Sequence, residues 1–289
     1  MKKMKLIETV TVTGPDFFGR NSSITFTPTA TPGWYLETED QSFIAYPDGS
    51  SCHVGTSKKF CPIDHRIAQS KPLTIQISFG TTVVNNWEHI GVLRFMGIDG
   101  IKVSMPKGQK WPPYLGGAGA YYEKISRFLR IQKEELPTID VKKENGWHYK
   151  KRVGSYVEID EAGPDSLLRL NVIAEWKPLP KHSAEIIVDE KLRQFLIDKI
   201  LPSKPQGFPF SRHSLAKVAS RFGWPNIDNI SWRKNFSKDE EVSYWWWLHR
   251  VQDLLGTLSL CSNTHLPIGK VLSKNAGHKA DLIVIKKAF

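Results

Sequence analysis

Two hydrophobic periods alternate along this chain, and the switches between them mark its elements. Between residues 5 and 46 the period is two: LIETVTVTG and SSITFTPTA alternate, and YLETED resumes after the Pro32-Gly33 turn. Residues 47–72, with the Pro47-Asp48-Gly49 turn, are dense in turn formers and polar groups and predict loop with one short strand. LTIQISFG predicts the next strand. In TVVNNWEHIGVLRFMGI the positions Val84, Trp87, Val92, Leu93 and Met96 recur at roughly helical spacing, and Gly97 fits a helix stop. GIKVSM then predicts a strand and AYYEKISRFL a second helix.

From about Arg127 the pattern restarts. FLRIQKE, TIDVKK, SYVEID, LLRLNVIAEW and AEIIVD read as strands, while LRQFLIDKIL and HSLAKVASRF read as amphipathic helices. A polar, Asn- and Lys-rich stretch at residues 226–240 precedes a helix, YWWWLHRVQDLLG, with three adjacent tryptophans. KADLIVIKKAF, at the end, fits either a strand or a short helix. Strands followed by helices, twice over, predict an α+β fold with two domains, residues 1–127 and 128–289, rather than one βαβ-wound sheet. No residue-level repeat links the halves.

Composition changes this picture little. Of 289 residues, 40% are hydrophobic and 24% charged, which suits a packed core. No apolar run approaches the ~20 residues a membrane span requires. MKKMKLIETV passes straight into a strand pattern, so a signal peptide is not expected. The three cysteines, Cys52, Cys61 and Cys261, form no C-x-x-C pair, which argues against a disulfide framework and against a thiolate zinc site. A cytoplasmic protein is expected. The net charge of +11 favours an anionic partner: nucleic acid, an acidic membrane surface or a phosphorylated small molecule. The cations are spread along the chain, and no zinc-finger, RNP or helix-turn-helix signature accompanies them, so no nucleic acid is expected. Arg127, Arg130, Lys150 and Arg221 are candidate diphosphate contacts, although scattered cations are more often plain surface.

Three stretches concentrate metal-ligand and acid–base groups: Trp87-Glu88-His89, His249-x-x-x-Asp253 on the tryptophan helix, and Asn275-Ala276-Gly277-His278-Lys279. A helix would stack His249 and Asp253 on one face. Hydrolytic zinc takes three nitrogen or oxygen ligands and leaves a fourth position for water. A neighbouring carboxylate can serve as general base, and a further histidine can protonate a leaving amine. Each pattern alone also has a plain structural reading, with the histidine hydrogen-bonded and the aspartate exposed. Trp245, Trp246 and Trp247 read as core and cleft wall.

Together and in order, these motifs resemble the UDP-3-O-acyl-N-acetylglucosamine deacetylase family, the zinc amidases of lipid A biosynthesis. TVTGPDFFGRNSSITFTPTATPGWYLETED looks like that family's opening strands, and VVNNWEHIGVLRFMGIDGIKVSM is similar to its first ligand helix. PPYLGGAGAYYEKI falls at its proline, turn and helix, LHRVQDLLGTLSL resembles its His-Lys-x-x-x-Asp helix, and NAGHKADLIVI its closing Ser-Gly-His segment. The resemblance implies two α+β domains of similar topology, each a sheet packed with helices, with zinc in the cleft between them. It implies Zn²⁺ on His89, His249 and Asp253, Glu88 activating water, and His278 stabilising the oxyanion or protonating the amine. Arg250 stands at the family's lysine, keeps its positive charge, and is implied as a catalytic residue that helps His278 steady the oxyanion. A nucleotide-sugar substrate, peripheral contact with membrane lipid and a monomer are implied as well.

The departures are specific. Asp16-Phe17-Phe18-Gly19-Arg20 replaces a Gly-Leu-His-Ser-Gly-like opening, Gly116 an aspartate, Thr257 the aspartate that steadies the acid histidine, and Arg221 a threonine at the oxyanion. The segment from Phe222 to His249 is shorter than the counterpart that forms the family's acyl passage.

Overall fold

Short strands with alternating burial pair into four sheets among the residues that the computed structural model describes, 1–38, 59–71, 74–140, 147–152, 155–175, 179–204 and 237–289. Cys52, the HSLAKVASRF helix expected at 213–222, Arg221 and most of the shortened segment lie outside them. Val10–Pro15 and Asn21–Pro28 form an antiparallel pair whose Val12, Ile24 and Phe26 turn inward. Ile101–Ser104, Trp34–Thr38 and Lys59–Pro62 extend the pair to five strands, with Ile101–Ser104 parallel to Trp34–Thr38. Lys2–Leu6 lies between Ile98–Asp99 and Leu129–Glu135, so the first strand past residue 127 pairs with the first strand of the chain.

The strands Ala68–Lys71, Thr74–Phe79 and Thr82–Val84 lead into helix α1 (Trp87–Gly91), which tightens into a 3₁₀ turn over Val92–Met96. The helix expected from residue 82 thus starts later. Asn86, at a left-handed φ of 54°, separates strand from helix. Helix α2 (Gly119–Ser126) follows as expected.

A six-stranded sheet occupies the rest. Its order is Trp147–Arg152, Ser155–Asp160, Leu266–Lys274, Leu168–Ala174 and His182–Val188, with Thr138–Asp140 beside Leu266–Lys274. The central Leu266–Lys274 has no counterpart among the expected strands. Its sequence, LPIGKVLSK, carries Pro267, Gly269 and two lysines, all poor strand signals, yet Leu266 and Val271 are buried between neighbours. Helix α3 (Leu192–Phe195) runs into a π turn over Leu196–Ile200. Helix α4 (Asp239–Leu258) lies across the sheet: Trp246 and Trp247 are 2% exposed, and the Trp247 indole donates to the Val172 carbonyl at 2.8 Å. The C-terminal segment is a helix, α5 (His278–Ala288), packed on α4. The architecture is α+β, with several sheets and few helices. Among the described residues no helix is long and apolar enough to cross a membrane.

Candidate metal centre

Helices α1 and α4 cross at two glycines. A Cβ on Gly256 would stand 1.9 Å from the Glu88 carbonyl oxygen, and one on Gly91 would stand 2.3 Å from Ser259 Oγ. Without side chains there the backbones meet, and α1 packs against the C-terminal part of α4. The buried Arg94 guanidinium secures the crossing by donating to the carbonyls of Ser259, at 2.6 Å, and Ser262, just past the end of α4. The Trp87 indole bonds Ser259 Oγ at 3.3 Å from the same side.

This crossing gathers three ligand-type side chains from two distant segments. His249 Nε2 lies 3.4 Å and His89 Nε2 3.8 Å from Asp253 Oδ1, and the candidate ligand atoms of all three lie within 4.8 Å of one another. A tetrahedral zinc ion with bonds of about 2.0–2.1 Å separates its ligand atoms by about 3.3–3.4 Å. The observed spacing therefore needs only small side-chain adjustment to close on an ion. The protonation pattern also fits. Burial, then the neighbouring His249 charge, lowers the His89 pKa to about 3, and burial lowers that of His249 to about 4, so both rings are neutral with lone pairs available. His249 Nδ1 lies 3.2 Å from the Ser203 carbonyl, which selects the tautomer whose Nε2 carries the lone pair. Asp253 Oδ1 is buried and has no hydrogen-bond partner among the described residues, an atom oriented for a cation. Two imidazoles and a carboxylate form a donor set that suits zinc and its borderline divalent neighbours.

Glu88 lies beside the trio, held by one oxygen. Its Oε2 accepts from the Ile75 amide at 2.8 Å and from Thr74 Oγ1 at 3.1 Å, while Thr74 Oγ1 accepts from the Asn86 amide at 2.6 Å. Oε1 is thereby turned toward His278, whose Nε2 lies 3.9 Å away. Burial, reinforced by the Asp253 charge, raises the Glu88 pKa to about 8. Burial raises that of Asp253 as well. His278 is the first residue of α5, and its side chain is 18% exposed, the most open of the group.

Arg250 is oriented differently from its neighbour. One residue along a helix turns about 100°, so a side chain adjacent to His249 leaves the helix on another face. Its guanidinium is buried and bonds Asp281 Oδ1 at 2.5 Å and Ser273 Oγ at 2.9 Å, tying α4 to α5 and to the central strand. Thr257, where the family resemblance places an aspartate, returns its hydroxyl to the Asp253 carbonyl at 2.8 Å. Glu88 and Asp253 supply the carboxylates near His278 instead. Gly116, at another departure, has φ +86°, a conformation that explains glycine there without reference to chemistry.

The chain matches no protein-family model and no curated protein. The geometry therefore bears on function alone. It brings together Glu88, His89, His249, Asp253 and His278 and leaves the Arg250 head group on Asp281. Four contributors had no motif to disclose them: Thr74, Ser203, Asp281, and Tyr114, whose ring lies 6.1 Å from that of His89. Each acts through a contact distant in sequence. Only the aspartate three residues after His278 was open to a reading of helical spacing.

Proposed function

We propose that this protein is a zinc-dependent amide hydrolase that deacylates an N-acylated amino sugar, with UDP-3-O-acyl-N-acetylglucosamine as the substrate that the motif resemblance favours. The observation that carries the reading is the convergence of His89, His249 and Asp253, with neutral imidazoles and an unbonded carboxylate oxygen, beside a clamped Glu88. On this reading the sheets form two domains, and the metal lies in the cleft between them.

Bound at the trio, Zn²⁺ would supply a Lewis acid and lower the pKa of water. Glu88 Oε1 is the general base: its Oε2 is fixed by Thr74 and Ile75, and its raised pKa matches a proton acceptor working near neutrality. Taking the water proton leaves Glu88 neutral, the form its burial favours. His278 Nε2 then delivers a proton to the departing amine and supports the negative charge on the tetrahedral oxygen. Arg250 orients rather than reacts, since its bond to Asp281 fixes the helix that begins with His278.

Metal analysis coupled to an amine-release assay on acetylated and long-acyl UDP-glucosamine tests the proposal. Stoichiometric zinc and release abolished by His89→Ala are expected; protein without bound metal, or release that ignores the substitution, would refute it. A second reading is a non-catalytic sugar-nucleotide-binding homologue, favoured by Thr257, which offers His278 no carboxylate. It predicts ligand binding that survives chelation and no amine release from any acylated sugar.

A further inference from the structure

The turn at Asp16–Arg20 is one of the departures from the family resemblance, and the structure shows what it builds. Asp16 Oδ1 accepts from the amides of Phe18, at 2.8 Å, and Arg20, at 2.9 Å, while its Oδ2 pairs with the Arg20 guanidinium at 2.8 Å. A turn locked this way holds two adjacent phenylalanines in place. Phe17 stacks on Trp111 with ring centroids 5.5 Å apart and planes at 22°, and Phe18 meets the same indole edge-on at 5.3 Å. Phe17 also meets Tyr114 at 5.1 Å, and Tyr114 lies 6.1 Å from the His89 ring. An unbroken series of aromatic rings thus runs from Trp111 to a candidate metal ligand.

At its outer end the series opens into a cavity of about 510 Å³, lined in part by Phe18, Trp111, Arg20, Asp16 and Lys110. That volume lies within the range of small-ligand sites, about 300–1,000 Å³. Its lining carries two cations against one carboxylate, and Arg20 sits over the Phe18 ring at 5.0 Å. The backbone carbonyl of Lys110 is fixed by Asn85, through its amide at 2.9 Å and its side chain at 2.8 Å. Aromatic faces beside a net positive charge suit a planar ring carrying an anion, because stacking rewards the ring and the cations reward the charge. An acyl chain would leave the cations unused. Phe17 and Tyr114 stand between Trp111 and His89, so with the reacting sugar at the metal, the nucleotide end of the same extended molecule is the part left to reach the Trp111 end of the series.

We infer that the Phe18–Trp111 cavity is the nucleotide subsite: it stacks the base of a nucleotide-linked amino sugar and pairs its phosphate with Lys110. The inference rests on the deacylase reading for its substrate class, but its test does not require turnover. Calorimetric titration of the whole protein with uridine 5′-monophosphate, uridine and inorganic phosphate measures the subsite directly. Binding should be strongest for the monophosphate. Trp111→Ala should weaken it about 5- to 10-fold, as expected for loss of one stacking partner, with Trp111→Phe restoring most of it. Lys110→Glu should weaken the monophosphate at least about 2-fold and leave uridine unchanged. Should Trp111→Ala unfold by thermal melting, Phe18→Ala replaces it.

Monophosphate affinity that is unchanged in Trp111→Ala and Phe18→Ala, or equal affinity for phosphate and the monophosphate, would overturn the subsite. Failure of the two readings is distinguishable. Amine release by protein whose affinities ignore these substitutions removes the subsite alone. Weakened nucleotide binding in protein that releases no amine removes the deacylase and leaves the subsite.

Discussion

Gly256 meets Glu88 backbone to backbone, so closely that a Cβ on the glycine would lie 1.9 Å from the Glu88 carbonyl oxygen. This contact joins the helix that carries His249 and Asp253 to the one that carries Glu88 and His89. Gly256→Ala must push the helices apart by far more than side-chain adjustment allows. Overpacking typically costs about 1–3 kcal/mol, occasionally more, and here the displacement falls on the candidate ligand atoms. The expected outcome is a lower melting temperature together with loss of bound zinc. A variant that is destabilised but binds zinc as tightly as before would show that the crossing does not set the site.

Zinc that binds the folded chain alone stabilises it by about 2.7 kcal/mol at a hundredfold excess over Kd, or about 4–5 °C in melting temperature for a chain of this size. Chelation should reverse this increase, and zinc should restore it. In His89→Ala and Asp253→Ala the increase should vanish, because each removes one of the three converging ligands. Melting curves with and without chelator read the effect, and an increase retained in both variants would place the ion elsewhere.

The sequence disclosed those parts of the site that a local period can encode. His249 and Asp253 are four apart on a helix, so their convergence follows from helical spacing once the helix is recognised. That Glu88 and His89 would meet them depended on Gly91 and Gly256, and a glycine does not announce which backbone it will touch. Arg250 shows the opposite limit. The resemblance implied a place for it at the oxyanion, yet the helical turn directs its head group to Asp281. The expected α+β class matches the sheets and helices found, while the central strand Leu266–Lys274 escaped notice because Pro267, Gly269 and Lys270 break its pattern. Tertiary pairing on both edges overrides those weak propensities.

Thr74 clamps Glu88 while accepting from Asn86, and so links the base to the start of its helix. Thr74→Val removes one of two donors to Oε2 and leaves the Asn86 amide without its partner, at a cost of about 1–3 kcal/mol. A positioned general base contributes about 10²- to 10⁴-fold, and loosening one of its two anchors should lower kcat for amine release about 10-fold. Zinc content should not change, since no ligand is touched. Thr74→Ser should recover most of the rate; a serine variant as slow as the valine would indicate that the hydroxyl has no part in orienting Glu88.

Proton linkage separates Glu88 from the histidines in metal-free protein. Burial lowers the His89 and His249 pKa values from 6.5 to about 3 and about 4, so the unfolded chain binds more protons between these limits and acidification below 6.5 destabilises the fold. Glu88 has the opposite sign. Its pKa rises from 4.5 to about 8, so the folded state holds the extra proton, and that stabilisation is lost as pH rises through this interval. Above 6.5 the histidine contribution fades as their unfolded forms lose their protons, and up to about 8 Glu88 is the one of the three whose folded form titrates. Glu88→Gln keeps the shape of the protonated acid but cannot ionise. Chelated wild-type protein should therefore lose stability across that window more steeply than chelated Glu88→Gln. Parallel stability curves for the two proteins would mean that the Glu88 carboxylate ionises as readily in the fold as outside it.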